Sequence, residues 1–254
     1  MITGGSSGIG AALARRLADR GWRCVLVARG RERLERLAAE VDGEIEACDV
    51  TDRPQVDKLA GRVGERHKAI RLLVNSAGIP GGGTFLELEA ERIEAVTRTN
   101  YLAGVWCLRA FVPLLERGSP AAVVNVASIA GTIPIGSYGP YTAAKHAQLA
   151  FSRNVAAELA SRGIRVLSVN PGPVETEGFP QTRLLAGRLS RRLVISPERV
   201  AEATLEALDR RRGEIFVPGI FRIAAAAEGV VPGLVTKLGI RRGPGRWGRG
   251  SREA

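Results

Sequence analysis

The chain has 254 residues, of which 45% are apolar and 25% are charged. This composition excludes an intrinsically disordered chain and allows one large α/β domain with a sizeable core. No run of 18 apolar residues and no signal sequence before the first motif is present, so we expect a cytoplasmic protein. The net charge of +11 raises the question of an anionic partner.

Short apolar segments alternate with longer amphipathic segments along the chain. The segments that predict buried strands are 24–28, 45–48, 70–75, 121–127, 164–170 and 214–218. The segments that predict helices are 10–21, 31–41, 53–67, about 91–117, 141–163 and 196–211. Such alternation is typical of parallel strands joined by crossover helices. We therefore predict an α/β, single-domain Rossmann fold over residues 1–218, a doubly wound parallel sheet with helices on both faces.

The segment "TGGSSGIG" (3–10) stands where the first strand turns into a helix. Gly4 allows the tight turn, and Gly8 and Gly10 let the backbone approach a pyrophosphate at the helix N-terminus. The segment predicts a dinucleotide site, with a purely structural loop as the alternative. Only Met1 and Ile2 precede it, so we expect a short first strand with partly unpaired neighbours. The simplest explanation is a true start upstream; a start at Met1 predicts reduced stability.

The end of the second strand indicates which dinucleotide is bound. In "VARGRER", Ala28 is followed by Arg29, and no acidic residue occurs before Glu32. The planar fork of an arginine suits the 2′-phosphate of NADP, whereas NAD is held by an acidic residue at this position. We predict that NADP(H) is preferred over NAD(H), through Arg29. Arg31 and Arg33 lie nearby, and an exposed helix face explains them equally well.

Two further strand ends fall at the same edge of the sheet. In "CDV" (48–50), Asp49 stands beside the cleft before Val50, where it could accept from an adenine amino group or simply start a turn. In "NSAG" (75–78), small residues allow a ligand to come close to the backbone. Ligands of such sheets bind outside the carboxyl ends of the strands, which is where these loops lie.

The segment "YTAAK" places Tyr141 and Lys145 one helical turn apart, in a chain with three Tyr and four Lys. An ammonium beside a phenol is expected to lower the pKa of the tyrosine, which makes it a proton donor and acceptor for a carbonyl/alcohol pair. Ser128 ends the fifth strand, where its hydroxyl could bind the same substrate oxygen. Asn100 stands inside a predicted helix, where Asn is mildly disfavoured, and a surface or capping role is the alternative.

With these motifs in this order, and with "NPGPVET" (170–176), the chain resembles the short-chain dehydrogenase/reductase family over about residues 1–218. The resemblance implies NAD(P)-dependent oxidoreduction with Tyr141 as general acid/base. It implies that Ser128 orients the substrate oxygen, that Lys145 also holds the nicotinamide ribose, and that Asn100 anchors a proton-relaying water. One departure is Ser76, where the family usually has a second Asn.

The cofactor contacts predicted by position and by the resemblance are Gly4, Ser6, Ser7, Gly8, Ile9, Gly10, Arg29, Asp49, Val50, Asn75, Ala77, Gly78, Tyr141, Lys145, Pro171, Gly172, Val174 and Thr176. No cluster of His and Cys has the spacing of metal ligands, so no metal is predicted. A non-catalytic dinucleotide-binding sensor or scaffold is the alternative function, although a scaffold needs none of the four catalytic side chains.

The substrate loop is predicted at about 178–195, and further walls at 79–85 and 129–139. These segments are mostly apolar, which predicts an apolar carbonyl compound or alcohol. Family resemblance suggests a homodimer or homotetramer through the helices near 91–117 and 141–163.

The C-terminal part divides into an apolar segment, 219–242, and a basic tail, 243–254. The apolar segment could cover the cleft, pack at a subunit interface or make a weak membrane-surface contact. For the tail, a solvated chain is favoured over phosphate or lipid contact, and a nucleic-acid partner is not favoured.

Overall fold

The computed structural model describes residues 1–83, 86–135, 138–188 and 190–233. Seven parallel strands form one sheet in the order β3-β2-β1-β4-β5-β6-β7. The strands are β1 (Ile2–Thr3), β2 (Val25–Ala28), β3 (Glu44–Ala47), β4 (Leu72–Asn75), β5 (Ala121–Val126), β6 (Ile164–Pro171) and β7 (Glu214–Val217). From β1 the chain first adds β2 and β3 on one side of the sheet, and then returns to add β4 to β7 on the other side. This confirms the predicted doubly wound sheet.

Helices cover both faces of this sheet. They are α1 (Gly8–Asp19), α2 (Arg31–Val41), α3 (Arg53–Arg66), α4 (Ala90–Thr97), α5 (Ala103–Arg117), α6 (Gly139–Ala160), α7 (Thr182–Leu185), α8 (Pro197–Asp209) and α9 (Phe221–Val230). One core lies under α1, α2 and α8, and the other lies under α3, α5 and α6. Each strand between two such layers is buried on both sides, which explains the nearly continuous apolar runs of β4 and β5.

The first strand is two residues long although it is central. Ile2 pairs with Leu26 of β2 and with Val74 of β4, and Thr3 continues both ladders. The amine of Met1 is buried and donates to the carbonyl of Leu72 at 2.8 Å. Burial lowers the pKa of this amine to about 6. A cavity of about 190 Å³ opens beside Met1, between the beginnings of the neighbouring strands.

The predicted helix 91–117 contains a π-helical turn, Arg98–Leu102, between α4 and α5. A π turn inserts one residue into the helical bonding pattern, and such turns are frequent at functional sites. Asn100 is buried in this turn. The structure thereby gives a local reason for a residue that an ordinary helix interior disfavours.

Part of the C-terminal segment forms α9, which follows β7 directly. Phe221, at its first turn, packs against Gly172 so closely that a Cβ at that glycine would overlap the ring. The first turn of α9 therefore contacts the segment after β6, and the three interpretations of 219–242 stay predictions. The rest of that segment from 234 onward and the whole basic tail lie outside the described residues. In the described part of the chain, none of the helices has the length and hydropathy needed to cross a membrane.

Candidate active site

The glycine loop leads from β1 into α1 with a backbone that only glycine adopts easily. Gly4 has a φ of +63°, and a Cβ there would lie 2.9 Å from the backbone of Ala77. A Cβ at Gly10 would overlap the carbonyl oxygen of Gly4. Gly8 also has a positive φ, +53°. The loop is therefore closed tightly on itself and against the end of β4, and its outer side is left to a ligand.

The N-terminus of α1 has free donors. Its N-cap, Ser7, makes no side-chain capping bond, and no acidic residue occupies the first turn. Unpaired N–H groups at a helix start attract a phosphate group. Ser6 is half-buried in the loop, and Ile9 packs against the core. The residues present thus fit the pyrophosphate of a dinucleotide.

Of the three arginines after β2, two have acidic partners. Arg31 pairs with Glu35 at 2.8 Å along α2, and Arg33 pairs with Glu177 at 2.6 Å. Arg29 is exposed and forms no hydrogen bond or ion pair with any residue that the structure describes. An exposed, unpaired guanidinium at this strand end is available to a phosphate. Among these three arginines, Arg29 is thus the one without an acidic partner, and its part in cofactor choice stays a prediction.

The ends of β3 and β4 are fixed by hydrogen bonds to their neighbours. Asp49 accepts from both the N–H and the hydroxyl of Thr51, at 2.9 and 2.8 Å, so it does start a turn. Val50 is buried behind it. Asn75 donates to Asn125 at 2.9 Å, and its own Oδ1 is a buried acceptor without a partner among the described residues.

Ser128 and α6 meet at the end of β5. Ser128 caps the 3-10 turn Ile129–Gly131 by accepting from the N–H of Ala130 at 3.1 Å. A Cβ at Gly131 would come within 2.8 Å of the Lys145 carbonyl, so the glycine allows the turn and α6 to pack closely. The Ser128 side chain also lies near enough to the Tyr141 hydroxyl to lower its pKa. The predicted serine and tyrosine are thus brought together.

Lys145 lies behind Tyr141, with its Nζ 5.7 Å from the centre of the tyrosine ring. The ammonium is buried and donates to the carbonyl of Val126 at 3.0 Å and to Oε1 of Gln148 at 2.9 Å. Gln148 is a contact that the sequence analysis missed, because a polar residue three positions after a lysine is ordinary on a helix.

The pKa values of the pair differ from the expectation. Burial raises the pKa of the Tyr141 hydroxyl to about 12, the hydrogen bond with Ser128 acts in the opposite direction, and Tyr138 raises it further. Burial lowers the pKa of Lys145 to about 7. The lowering of the tyrosine pKa expected from the sequence is wrong for this structure, because the ammonium is directed at Val126 and Gln148. Desolvation favours the neutral form of both groups.

Asn100 is held by backbone groups from two elements. Its Nδ2 donates to the carbonyls of Ile79 and Val96, both at 3.0 Å, and its Oδ1 accepts from the N–H of Ile79 at 3.2 Å. A Cβ at Gly78 would lie 2.9 Å from that oxygen. In this arrangement Asn100 ties the loop after β4 to the π-helical turn, and it is not in hydrogen-bond contact with Lys145.

The segment after β6 runs from Pro171 back over the glycine loop. Val174 is buried and pairs with Ile195, and Thr176 lies so close to Gly8 that a Cβ there would be 3.0 Å from its methyl group. Phe179 packs beside Tyr141, with ring centres 6.0 Å apart. This segment therefore joins the glycine loop to the tyrosine. The described parts of the other predicted walls lie here too, since a Cβ at Gly81 would be 2.9 Å from Cβ of Tyr141.

Three residues of this edge were missed in the sequence. Thr3 accepts from the N–H groups of Ser76 and Ala77, at 3.2 and 3.4 Å, and so links β1 to the loop after β4. Phe179 lies inside the predicted substrate loop but was not singled out there. Glu177 directly follows "NPGPVET", and its pairing with α2 joins residues 144 positions apart, which no local pattern reveals. Within the described residues, no group of three or more His, Cys, Asp or Glu could hold a metal ion.

Comparison with known proteins identifies relatives of this arrangement. A family model described as short chain dehydrogenase matches residues 1–184. A putative ketoacyl reductase of Streptomyces coelicolor is 40% identical over 185 residues, 69% of this chain and 70% of that protein. A 1-deoxy-11-beta-hydroxypentalenate dehydrogenase of Streptomyces exfoliatus is 36% identical over 227 residues, 85% of this chain and 81% of that protein.

Solved structures share the fold as well. Actinorhodin polyketide ketoreductase, solved with NADPH, matches with a TM-score of 0.73 and 32% identity, over 81% of this chain and 87% of that one. An alcohol dehydrogenase from the archaeon Thermococcus sibiricus, complexed with 5-hydroxy-NADP, matches with a TM-score of 0.76 and 28% identity, over 85% and 93%. The sheet order, the glycine loop and the family match agree, and the chain belongs to the short-chain dehydrogenase family of oxidoreductases.

Proposed function

We propose that the protein is an NADP(H)-dependent oxidoreductase that interconverts a carbonyl and a secondary alcohol, with Tyr141 as general acid/base. The observation that carries this proposal is the meeting of Ser128, Tyr141 and Lys145 at the carboxyl edge of the sheet, beside the glycine loop. Relatives named as a ketoacyl reductase and a dehydrogenase support carbonyl/alcohol chemistry. NADP(H), when bound, would supply or take up the hydride.

The residues on the β1–β4 side would hold the dinucleotide. The glycine loop and the free N–H groups of α1 suit its pyrophosphate. Arg29 suits a 2′-phosphate, since it is exposed and, unlike Arg31 and Arg33, has no acidic partner among the described residues. The segment 171–176 passes over the same loop, so it closes the cleft from the β6 side.

The proton chemistry belongs to Tyr141. A pKa of about 12 keeps its hydroxyl protonated at neutral pH, which suits donation to a carbonyl oxygen during reduction. The Ser128 side chain lies near this hydroxyl, which supports a role for it in orienting the same substrate oxygen. Lys145, buried behind the ring, would meet the nicotinamide ribose and support the phenolate that remains after proton transfer.

The pocket walls favour an apolar substrate. Phe179 flanks Tyr141, Phe221 packs against Gly172, and the loop around Gly81 contacts the tyrosine from the other side. A ring-lined wall with one polar centre is typical of sites for apolar carbonyl compounds.

The test is a fluorescence titration of the purified protein with NADPH and with NADH, followed by a screen of apolar ketones for NADPH oxidation. Tight binding of NADPH, weaker binding of NADH and turnover of at least one ketone are expected. NADPH binding without turnover of any ketone or alcohol would favour the sensor or scaffold alternative. Absence of binding to either dinucleotide would overturn the proposal.

A further inference from the structure

Gln148 lies one turn after Lys145 on α6, and both side chains are buried. Residues three positions apart on a helix are neighbours on the same face. The amide oxygen of Gln148 accepts from Lys145 Nζ at 2.9 Å, and the carbonyl of Val126 accepts from it at 3.0 Å. Gln148 thus provides one of the two acceptors that the structure gives this ammonium.

A buried ammonium needs such acceptors, because it has lost the water that stabilises its charge. Burial is the cause of the lowered pKa of Lys145, about 7. Tyr141 is the titratable side chain that faces it. The described elements packed against α6 are α4, β5, β6 and the π-helical and 3-10 turns, and none of them contributes a charged side chain to this pKa.

We propose that Gln148 is a positioning residue that anchors the Lys145 ammonium and sustains its charge in the buried site. An apolar residue here would leave the carbonyl of Val126 as the remaining acceptor. A carboxylate would fix the lysine in an ion pair. A neutral amide holds the ammonium while leaving it available to a further partner. The consequence for catalysis rests on the proposed function, whereas the anchoring does not.

Urea unfolding between pH 7 and 10 tests the anchoring without substrate or cofactor. The variants are Gln148→Met, which keeps the length of the side chain and removes the acceptor, and Gln148→Glu. The unfolded chain binds the lysine proton up to its ordinary pKa of 10.5, whereas the folded protein releases it near 7. Because the unfolded state holds more protons on Lys145 in this window, the contribution of Lys145 to stability rises with pH. The buried thiols Cys24, Cys48 and Cys107 have raised pKa values and contribute a fall at the upper end of the window, which is common to all variants.

The two variants should change this rise in opposite directions. Gln148→Met lowers the folded pKa of Lys145 further, so the rise begins at a pH lower by about one unit. Gln148→Glu raises that pKa toward 10.5, so the rise between pH 7 and 10 largely disappears. In a Lys145→Met background, the chain with Gln148 and the chain with Gln148→Met should follow parallel curves. The Met1 amine contributes equally to every variant and cancels.

Curves that keep the slope of the unchanged protein and differ only by a vertical offset would show a packing role, and would overturn the proposal. A change of slope for Gln148→Met that persists in the Lys145→Met background would also overturn it. If Gln148→Met does not fold, Gln148→Glu decides alone, because lost packing cannot flatten a pH dependence. NADPH titration at pH 7 and 9 then separates the two ideas: if the unchanged protein does not bind NADPH, the proposed function fails while the unfolding result stands.

Discussion

The two halves of the carboxyl edge of the sheet differ in the kinds of chemical groups that form them. The half formed by β1, β2 and the loops after them is built from glycine backbone and exposed charges. The half formed by β5, β6 and α6 is built from buried polar side chains, among them the ammonium of Lys145. A chain of hydrogen bonds joins Asn125 to Asn75 and Ser152, at 2.9 Å each, and Ser152 to Ser168 at 2.7 Å.

This difference separates recognition from stability. Exposed charges are screened by water and contribute little to folding, so they can be exchanged at small cost. Buried polar groups cost free energy when they lose a partner. We therefore expect substitutions in the first half to change which cofactor is bound, and substitutions in the second half to change activity and stability together.

The largest effect is expected for Tyr141→Phe, which removes the proton donor and keeps the ring. Loss of general acid catalysis should lower kcat for ketone reduction by roughly 10²–10⁴-fold. The dissociation constant of NADPH, measured by fluorescence, should stay nearly the same. Tyr138→Phe, three positions earlier, is the matched control and should retain most activity. Unchanged turnover in the Tyr141 variant would remove it from the proposed role.

The buried hydrogen-bond chain is tested by Asn125→Leu. This change leaves the Asn75 amide without its Asn125 partner and removes one of the two hydrogen bonds of the Ser152 hydroxyl, and a buried group that loses its partner costs about 1–3 kcal/mol. The free energy of unfolding, measured in urea, should fall accordingly. Exposed Asp19→Leu, on the last turn of α1, serves as a control for the surface. A loss below about 0.5 kcal/mol for Asn125→Leu would contradict the division between the two halves.

For cofactor choice, Arg29→Asp is compared with Arg31→Asp. A charged hydrogen bond to the 2′-phosphate is worth about 1.5–3 kcal/mol, so the dissociation constant of NADPH should rise by roughly 10–100-fold for Arg29→Asp only. Binding of NADH should hardly weaken, and the unfolding midpoint should stay within a degree or two of the original, about the shift for an exposed charge. Equal losses in both variants would indicate a general effect of charge.

The smallest effect is expected for Glu177→Gln, which frees Arg33. The pair is exposed on both sides, with 50% and 66% of the side chains accessible, so stability should change by less than about 1 kcal/mol. NADPH affinity should change less than about fivefold, as in the control Glu35→Gln. A larger gain in NADPH affinity would show that Arg33 shares the 2′-phosphate with Arg29.

Most of the fold could be predicted because its periodic patterns are local. The helix predicted at 31–41 is found at Arg31–Val41, and the six strands predicted between residues 24 and 218 lie within two residues of their expected bounds. The π-helical turn could not be predicted, because one inserted residue hardly changes a hydrophobic period. Helix α9 was missed for another reason: its segment lacks a capping pattern and is apolar on most of its surface.

For the site, motifs predicted which residues meet, but not their protonation. The pairing of Tyr141 with Ser128 followed from strand ends and helix spacing. The pKa of Tyr141 depends on burial and on the direction of the Lys145 ammonium, which a spacing of four cannot show. Gln148 and Glu177 were not predicted for the same reason, since the contact of each side chain forms only in the folded chain.

The two-residue strand β1 has a consequence for how the sheet comes apart. Strands β2 and β3 are joined to the other four through Ile2 and Thr3. The backbone ladder is therefore thinnest along the line on which the glycine loop stands, and partial opening would begin there rather than at the outer strands. A dinucleotide bound across this line would contact the loops of both groups of strands, so that the free energy of unfolding would rise with the concentration of the cofactor.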